Sequence, residues 1–342
     1  MISKLGIYSS SSTSPYLNLA MEKTLFDQVD SGELILFLWT NQPSVVIGRN
    51  QNPYKECNLS IMESDDVKLV RRLSGGGAVY QDLKNLNFTF ISRDEDMKIT
   101  RNLGVIQKAC SSFGLDAEIS GRNDLTIDGF KFSGNAFLHS GGHAYHHGTI
   151  MIGVDSGRLS SYLNVDSKKL SSKGLDSVRS RVINLSSLNS SINVENMKTA
   201  LKAAFEMEFQ LKSACDQIID NNSFSTLQEK VSFFQSAEWI MGKKANCSYH
   251  IRERFSWGDF DLNFDIADGL LTNVQLFSDA LDQDFIVLIS KALANCPAKY
   301  SSIEDAINRL IQNQLNQQIK IATDSVIKSM ANDILSILKL NL

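Results

Sequence analysis

The stretch that most constrains this chain runs from Lys68 to Ile91, KLVRRLSGGGAVYQDLKNLNFTFI. An apolar run with strand character, Leu69-Val70, ends in paired arginines, passes through Gly75-Gly76-Gly77 and resumes as a strand pattern at Ala78-Val79-Tyr80. Glycine tolerates positive φ and has no Cβ, so three in a row let main chain pack directly against a ligand and can aim successive N–H groups at an anion. Arg71 and Arg72 beside them suit a phosphate or carboxylate, which a guanidinium meets with two parallel hydrogen bonds. The element is neither a P-loop, for no Gly-Lys-Ser/Thr follows, nor a dinucleotide fingerprint. By itself such a turn between strands is more often only a turn.

The rest of the chain reads as support for this stretch. Ser14-Pro15 followed by Leu17, Leu19, Ala20, Leu25 and Phe26 predicts a capped amphipathic helix. Leu34 to Trp39 and Ser44 to Ile47 are short apolar strands, and the polar loop after them carries Arg49. Helical spacing covers 99–113, with Gly114 as its stop, then 194–209 and 226–234. Asp128-Gly129 between two strand patterns is a strong hairpin signal, and it puts Lys131 just past a tight turn, followed by Ser133-Gly134. Another strand runs from Ala144 to Gly153.

From 155 to 184 the chain is polar, basic and poor in apolar periodicity, the mark of a functional segment more than a passive connector. Beyond an irregular stretch at 236–253, strands at 255–264 and 270–277 are joined by Asp268-Gly269, and helical segments follow at 284–293, 303–310 and 325–338. The expected organisation is a large mixed α/β domain over 1–248 and a small α+β domain over 249–342.

With 342 residues the chain can bury two cores, and a net charge of -4 leaves no basic footprint for nucleic acid. No run approaches the roughly 18 apolar residues of a membrane span, and no apolar leader opens the sequence. The five cysteines are scattered and never in a C-x-x-C pair, which fits a reducing cytoplasm. His139, His143, His146 and His147 cluster, but no Cys or acidic residue recurs at metal-ligand spacing. Ser74 and Ser133 lack a nucleophile elbow. What remains is glycine backbone, arginines, a turn-positioned lysine and a basic loop, an inventory without a nucleophile. It suits a reaction activated by the substrate itself, such as adenylation of a carboxylate by ATP, in which the protein holds charge in place.

RRLSGGGAVYQDLKNLNFTF resembles the signature RRxSGGGAVYHDxGNLN(F/Y)(S/T)F of the lipoate-protein ligase A family. GRNDLTIDGFKFSGNA, from Gly121 to Ala136, is similar to its second motif, and His146-His147-Gly148-Thr149 to its HHGT element. Tyr162-Leu163-Asn164, Lys168-Lys169-Leu170 and SKGLDSVRSRV from Ser172 to Val182 resemble its basic loop, PSVVIGRNQNP agrees near the N-terminus, and 254–282 looks like the accessory domain of its two-domain members. The fold implied is the biotin/lipoate ligase type of mixed α+β domain with a small C-terminal α+β domain.

The resemblance implies activation of lipoate by ATP to lipoyl-AMP, then transfer of the lipoyl group to a lysine of lipoyl domains, those of 2-oxoacid dehydrogenase E2 subunits and of the glycine cleavage H protein. It places Arg72, Ser74, Gly75, Gly76, Gly77, Ala78, Val79, Tyr80, Asn85, Asn123, Lys131, Ser133, Gly134, His147, Gly148 and Thr149 around ATP and lipoyl-AMP. Lys131 would neutralise charge at the acyl carbonyl or α-phosphate, and the triglycine would line the lipoyl chain, whose buried methylenes are worth about 0.8 kcal/mol each. Lys168, Lys173, Ser177, Arg179 and Arg181 would close over the nucleotide, with Mg²⁺ bridging phosphates. Asp124 would bind Mg²⁺ or help deprotonate the acceptor lysine, or else cap the hairpin, and the accessory domain would move between the two half-reactions.

Three departures stand out: Gln81 where the family has His, Lys84 where it has Gly, and Val165 where Pro often follows Leu-Asn. Competing readings are an ATP-independent octanoyl or lipoyl transferase, a transferase of preformed lipoyl-AMP, and a non-catalytic lipoyl-domain-binding module.

Overall fold

The computed structural model describes residues 1–121, 123–164, 182–242, 244, 246–315 and 324–341. Packing divides the chain into two compact units. Met1–Val46, Tyr54–Arg71 and Ala78–Ile240 form the first, and Ile47–Pro53, Arg72–Gly77 and Met241–Leu342 form the second. The compositional boundary at 248/249 lies a little past the crossing at Ile240/Met241. Nothing in composition marks 47–53 and 72–77, which join the second unit through contacts distant in sequence.

The first unit contains β1 (Lys4–Ser10), β2 (Glu33–Trp39), β3 (Ser44–Ile47), β4 (Lys68–Arg71), β5 (Val79–Gln81), β6 (Asn85–Arg93), β7 (Glu118–Ser120), β8 (Asp124–Ile127), β9 (Phe130–Ser140), β10 (His143–Met151) and β11 (Ser213–Ile219). Eight of them make one sheet in the order β11-β1-β2-β6-β10-β9-β8-β7, and β4-β3-β5 make a small second sheet. The triglycine therefore links two strands that flank a third.

The large sheet has two differently used faces. Leu34, Leu36 and Leu38 of β2, Phe88 and Phe90 of β6 and Ile150 of β10 are buried with Leu103, Ile106, Met197, Leu201 and Phe205 of the helices Ile99–Ser111 and Val194–Phe209. Each such side chain contributes about 1.5–3 kcal/mol when fully buried, and the helical spacing read from sequence is the spacing that delivers them. Phe37, Trp39 and Thr89 point to the other face. There the helix Pro15–Gln28, capped by Ser14, is tied to the sheet through Glu22. β1, β7 and β11 escaped the sequence reading. Parallel partners such as β1 and β11 are about two hundred residues apart, and SACDQII lacks a clean alternation of apolar residues.

In the second unit β12 (Tyr249–Phe255), β13 (Gly258–Ala267) and β14 (Leu270–Phe277) form an antiparallel sheet under the helices Gln283–Leu293, Tyr300–Leu315 and Asp324–Asn341. Its core holds Phe260, Phe264, Phe285, Ile289, Ile303 and Ile334. β12 covers residues that the sequence reading left irregular, because its charged side chains mask the alternation. The mixed α/β class with a small α+β C-terminal unit agrees with the expectation. Among the described residues no helix is long and apolar enough to cross a membrane.

Candidate active site

Lys131 owes its position to a turn and a bulge. Asp128 and Gly129 both have positive φ, at 52° and 78°, as a two-residue turn between β8 and β9 requires. Thr126 then pairs with Lys131, but Leu125 pairs with Ser133 and Asp124 with Gly134, so Phe132 is an extra residue on β9. Cross-strand partners share a face. The bulge consequently puts Lys131 and Gly134, three residues apart, on one face with Asp124, and sends Phe132 into the core. There the Lys131 ammonium lies 2.7 Å from Asp124 Oδ1, both side chains about a third exposed. A Cβ on Gly134 would stand 3.0 Å from Lys131 Nζ, so the bare glycine leaves the lysine its path. Ser133, beside Leu125, turns its buried hydroxyl to the opposite face from Lys131.

Register extends this patch across the sheet. Thr149 of β10 pairs with Asn87 of β6, and its Oγ1 accepts from Gly134 N at 3.5 Å. Asn87, Thr149, Gly134 and Asp124 thus form a row on one face, with Lys131 over Gly134. In the next row His147 lies between Thr89 and Ala136. His147 Nδ1 is 2.9 Å from Glu22 Oε1, which also accepts from Thr89 Oγ1 at 2.7 Å. The imidazole is 7% exposed and Glu22 2%, so this pair buttresses the strand that carries Gly148 and Thr149.

Behind the row, Asn135 and Asn123 clasp each other. Asn135 N and Nδ2 donate to Asn123 O at 2.8 and 2.9 Å, and Asn123 Nδ2 donates to Asn135 O at 2.8 Å. His146 Nε2 donates to Asn135 Oδ1 at 2.8 Å, and complete burial pushes its pKa down to about 3, with His147 adding to the effect. It is therefore a neutral donor within the core. Gly148 is required by close approach: a Cβ there would lie 2.6 Å from Phe88, 2.7 Å from Asn135 Oδ1 and 2.8 Å from Gly134 O. Of the two asparagines in KNLNF, Asn85, the one expected at the site, donates Nδ2 to Asn87 Oδ1 at 3.1 Å.

The glycine loop belongs to the second unit, and its three members differ. A Cβ on Gly75 would lie 2.3 Å from Ala280 O and 2.7 Å from Leu281 O, whereas one on Gly77 would meet nothing within 4 Å. Gly76, at φ 88°, donates its N–H to Ala280 O at 3.1 Å. Main chain of Ala280 and Leu281 therefore stands beside Gly75, and the open side of the loop is that of Gly77. Arg72 folds back on the loop: Nη2 donates to Gly75 O and Gly77 O at 2.7 and 2.8 Å, and Nε to Ser74 Oγ at 3.1 Å. Arg71 donates to the carbonyls of Trp239 and Ile240, and its burial lowers its pKa to about 10. Both guanidiniums thus meet main-chain oxygens, which arginine forks fit as they fit phosphates.

Ala78, Val79 and Tyr80 return the chain to the first unit, where Val79 and Tyr80 pair with Val46 and Val45. Tyr80 packs 5.4 Å from Tyr162, and burial raises its phenol against the opposing effect of Arg158. Gln81 is buried and accepts from Asn41 Nδ2 at 2.7 Å, so the family's His position serves here inside a polar brace. Lys168, Lys173, Ser177, Arg179 and Arg181 lie outside the described residues, as does Val165. The chain on either side of them is placed: Asn164 N donates to Glu56 O, and Ile183 N donates to Lys131 O, each at 2.9 Å. His139 pairs with Asp94 at 2.7 Å, and Arg93 Nη1 contacts His143 Nε2 at 2.6 Å. Among the described residues no three His, Cys, Asp or Glu side chains converge for a metal.

Comparison with known proteins gives this arrangement its relatives. The family described as "Lipoyl protein ligase A/B catalytic domain" matches residues 14–206, and "Bacterial lipoate protein ligase C-terminus" matches 244–338. The chain is 37% identical over 330 residues to lipoate-protein ligase A of Psychrobacter cryohalolentis, covering 94% of this chain and 97% of the relative. It is 38% identical over 310 residues to that of Bdellovibrio bacteriovorus, covering 89% and 91%. Among solved structures, P. falciparum LipL1 in complex with lipoate has a TM-score of 0.83 at 27% identity, covering 97% of this chain and 99% of that one. A lipoate-protein ligase A bound with ATP has a TM-score of 0.60 at 25% identity, covering 71% and 99%. With both parts of the sequence matched and relatives above 35% identity over most of their length, the chain belongs to the lipoate-protein ligase A family.

Proposed function

We propose that this ATP-dependent lipoate-protein ligase runs both half-reactions past Lys131. In the first, a carboxylate oxygen of lipoate bonds to the α-phosphorus of ATP, the bond to the β-phosphate oxygen breaks, and pyrophosphate leaves. In the second, the amine of an acceptor lysine bonds to the acyl carbon, the bond to AMP breaks, and the amine proton passes to a base. The observation that carries the reading is the Lys131–Asp124 pair laid over bare Gly134 on the face shared with Thr149. A fixed ammonium there counters charge on the acyl and phosphate oxygens without rearranging as the reaction proceeds.

Asp124, paired with Lys131, would accept the acceptor's proton or else hold Mg²⁺, while Glu22 and His147 hold the strand behind it. Mg²⁺, when bound, would supply charge neutralisation on the phosphates, and Asp124 is the carboxylate that would hold it in that second reading. Lys168, Lys173, Ser177, Arg179 and Arg181 complete the countercharge. The acceptors are lipoyl domains of 2-oxoacid dehydrogenase E2 subunits and the glycine cleavage H protein, and the compartment is the cytoplasm. The T. acidophilum relative, 27% identical with a TM-score of 0.63 over 71% of this chain, is described together with its E2 lipoyl domain, which supports that acceptor class.

The test is lipoate-dependent ATP–pyrophosphate exchange. Wild-type protein should exchange, and Lys131→Ala should lose exchange by on the order of 10²–10³-fold, the range for removing one preorganised charge-stabilising group. Exchange at the wild-type rate in that variant refutes the role given to Lys131.

A further inference from the structure

His146 is completely buried, with the rings of Phe88, Phe90 and Phe137 at 5.7, 5.8 and 4.9 Å from its own. Its Nε2 donates to Asn135 Oδ1 at 2.8 Å, and its enclosed Nδ1 has no partner among the described residues. The Asn135 amide fits only one way round. Its Nδ2 donates to the main-chain carbonyl of Asn123 at 2.9 Å, and reversal would set Oδ1 against that carbonyl. An apolar side chain would fill the place of His146 with no nitrogen unsatisfied, and native folds seldom bury an unmatched polar atom without a use. Gly148 serves the same amide, since a Cβ there would lie 2.7 Å from Asn135 Oδ1.

The amide so held closes a weakened ladder. β8 and β9 fall out of step at Phe132, and beyond that bulge the pairs are Leu125 with Ser133 and Asp124 with Gly134. Asn123 and Asn135 come next outward, joined by the hydrogen bonds from Asn135 N and Nδ2 to Asn123 O and from Asn123 Nδ2 to Asn135 O. This clasp secures the far side of the Asp124–Gly134 pair, over which the Lys131 ammonium lies 2.7 Å from Asp124 Oδ1.

We infer that His146 is a positioning residue for the Lys131–Asp124 pair, acting through the clasp of Asn135 and Asn123. Its donor orients the Asn135 amide, the amide fixes Asn123 against β9, and the next carboxylate along, Asp124, is held where Lys131 meets it. His146 and Asn135 do this from the core face of the sheet, opposite Thr149 and His147. Asn123, which the family motif sets beside ATP, is a link in this chain. The inference rests on the role given to Lys131 above.

The experiment compares His146→Leu, which removes the donor, with His146→Gln, which can still donate to Asn135. Pyrophosphate exchange gives kcat and the KM values for lipoate and ATP, at a temperature where thermal unfolding shows each variant folded. Hydrogen exchange is followed in the peptide spanning 123–135. In His146→Leu, kcat should fall by about tenfold or more with both KM values within about threefold, and the peptide should exchange faster. His146→Gln should recover most of both. Wild-type kcat in folded His146→Leu, or an equal loss in the two variants, overturns the inference and leaves a core histidine. Should His146→Leu not fold, Asn123→Ala decides: lower kcat at an unchanged KM for ATP upholds the clasp, and wild-type kcat or a raised KM for ATP overturns it. If wild-type protein shows no pyrophosphate exchange, the adenylating reading fails, while the hydrogen-exchange arm still decides whether His146 holds the hairpin.

Discussion

Lys131 Nζ and Asp124 Oδ1 stand 2.7 Å apart on a face that they reach from opposite sides of one hairpin. Both are about a third exposed, so the pair adds little to stability, on the order of 0–1 kcal/mol. Its worth lies in aiming the ammonium. Asp124→Asn should leave thermal unfolding within a few degrees of wild type while exchange falls by roughly tenfold or more, since one fixed charge partner is lost. Equal losses of stability and rate would mean that Asp124 only caps the hairpin.

Gly134 and Gly148 separate a path from a packing contact. Gly134→Ala puts a methyl 3.0 Å from the flexible end of Lys131, so the fold should hold while exchange declines. Gly148→Ala meets a phenyl ring, an amide and a carbonyl that cannot yield, and should destabilise by about 1–3 kcal/mol. Denaturant titration beside exchange kinetics would reveal the split, and a Gly148→Ala protein as stable as wild type would contradict it.

Acid should loosen the core through His146. Its folded pKa is pushed down to about 3 by burial, against roughly 6.5 in an unfolded chain. Above pH 6.5 neither state takes the proton and stability is complete. Between 6.5 and 3 the unfolded chain binds a proton that the fold refuses, so stability falls by up to about 1.4 kcal/mol per pH unit. His146→Gln, able to keep a donor toward Asn135, should remove that share of the slope in urea titrations at pH 7 and pH 5. An unchanged slope would place the titration elsewhere.

No thiol need take part. Burial raises Cys57 and Cys110 to about 12, and Cys247 and Cys296 are raised as well, so these four hold their protons near neutral pH. A variant with all five cysteines replaced should retain ATP-dependent lipoylation, read by mass on a lipoyl domain. ATP-independent transfer that disappears with the cysteines would instead favour the transferase alternative.

The sequence disclosed the parts of the site that obey local rules. Asp128-Gly129 announced the hairpin and hence Lys131, and the helices over 99–111 and 194–209 followed from apolar spacing. What it withheld depends on register and on partners far along the chain. The bulge at Phe132 leaves no mark in composition, yet it decides that Ser133 turns away from Lys131 while Gly134 lies beneath it. Glu22 reads as one more helix residue until its pairing with His147, 125 positions later, is known. Asn85 and Asn87 look alike in sequence, and only the fold shows that their amides bond to each other and that, among the described residues, the Nδ2 of Asn87 is left without a partner. Arg71 and Arg72 carry the right chemistry for an anion, and the carbonyl oxygens they also meet belong to main chain that the sequence does not locate.

The extra residue on β9 also governs how this hairpin can change over time. Strand faces alternate residue by residue, so loss of Phe132 would restore an even ladder with the same pairs, whereas one residue inserted after Ser133 would exchange inside for outside on everything that follows. After that insertion Gly134 and Ala136 would leave the surface shared with Thr149 and His147, and the inserted residue and Asn135 would take their places. Substitutions in this segment can accumulate one at a time, but its length is held fixed by a parity that no single replacement can repair.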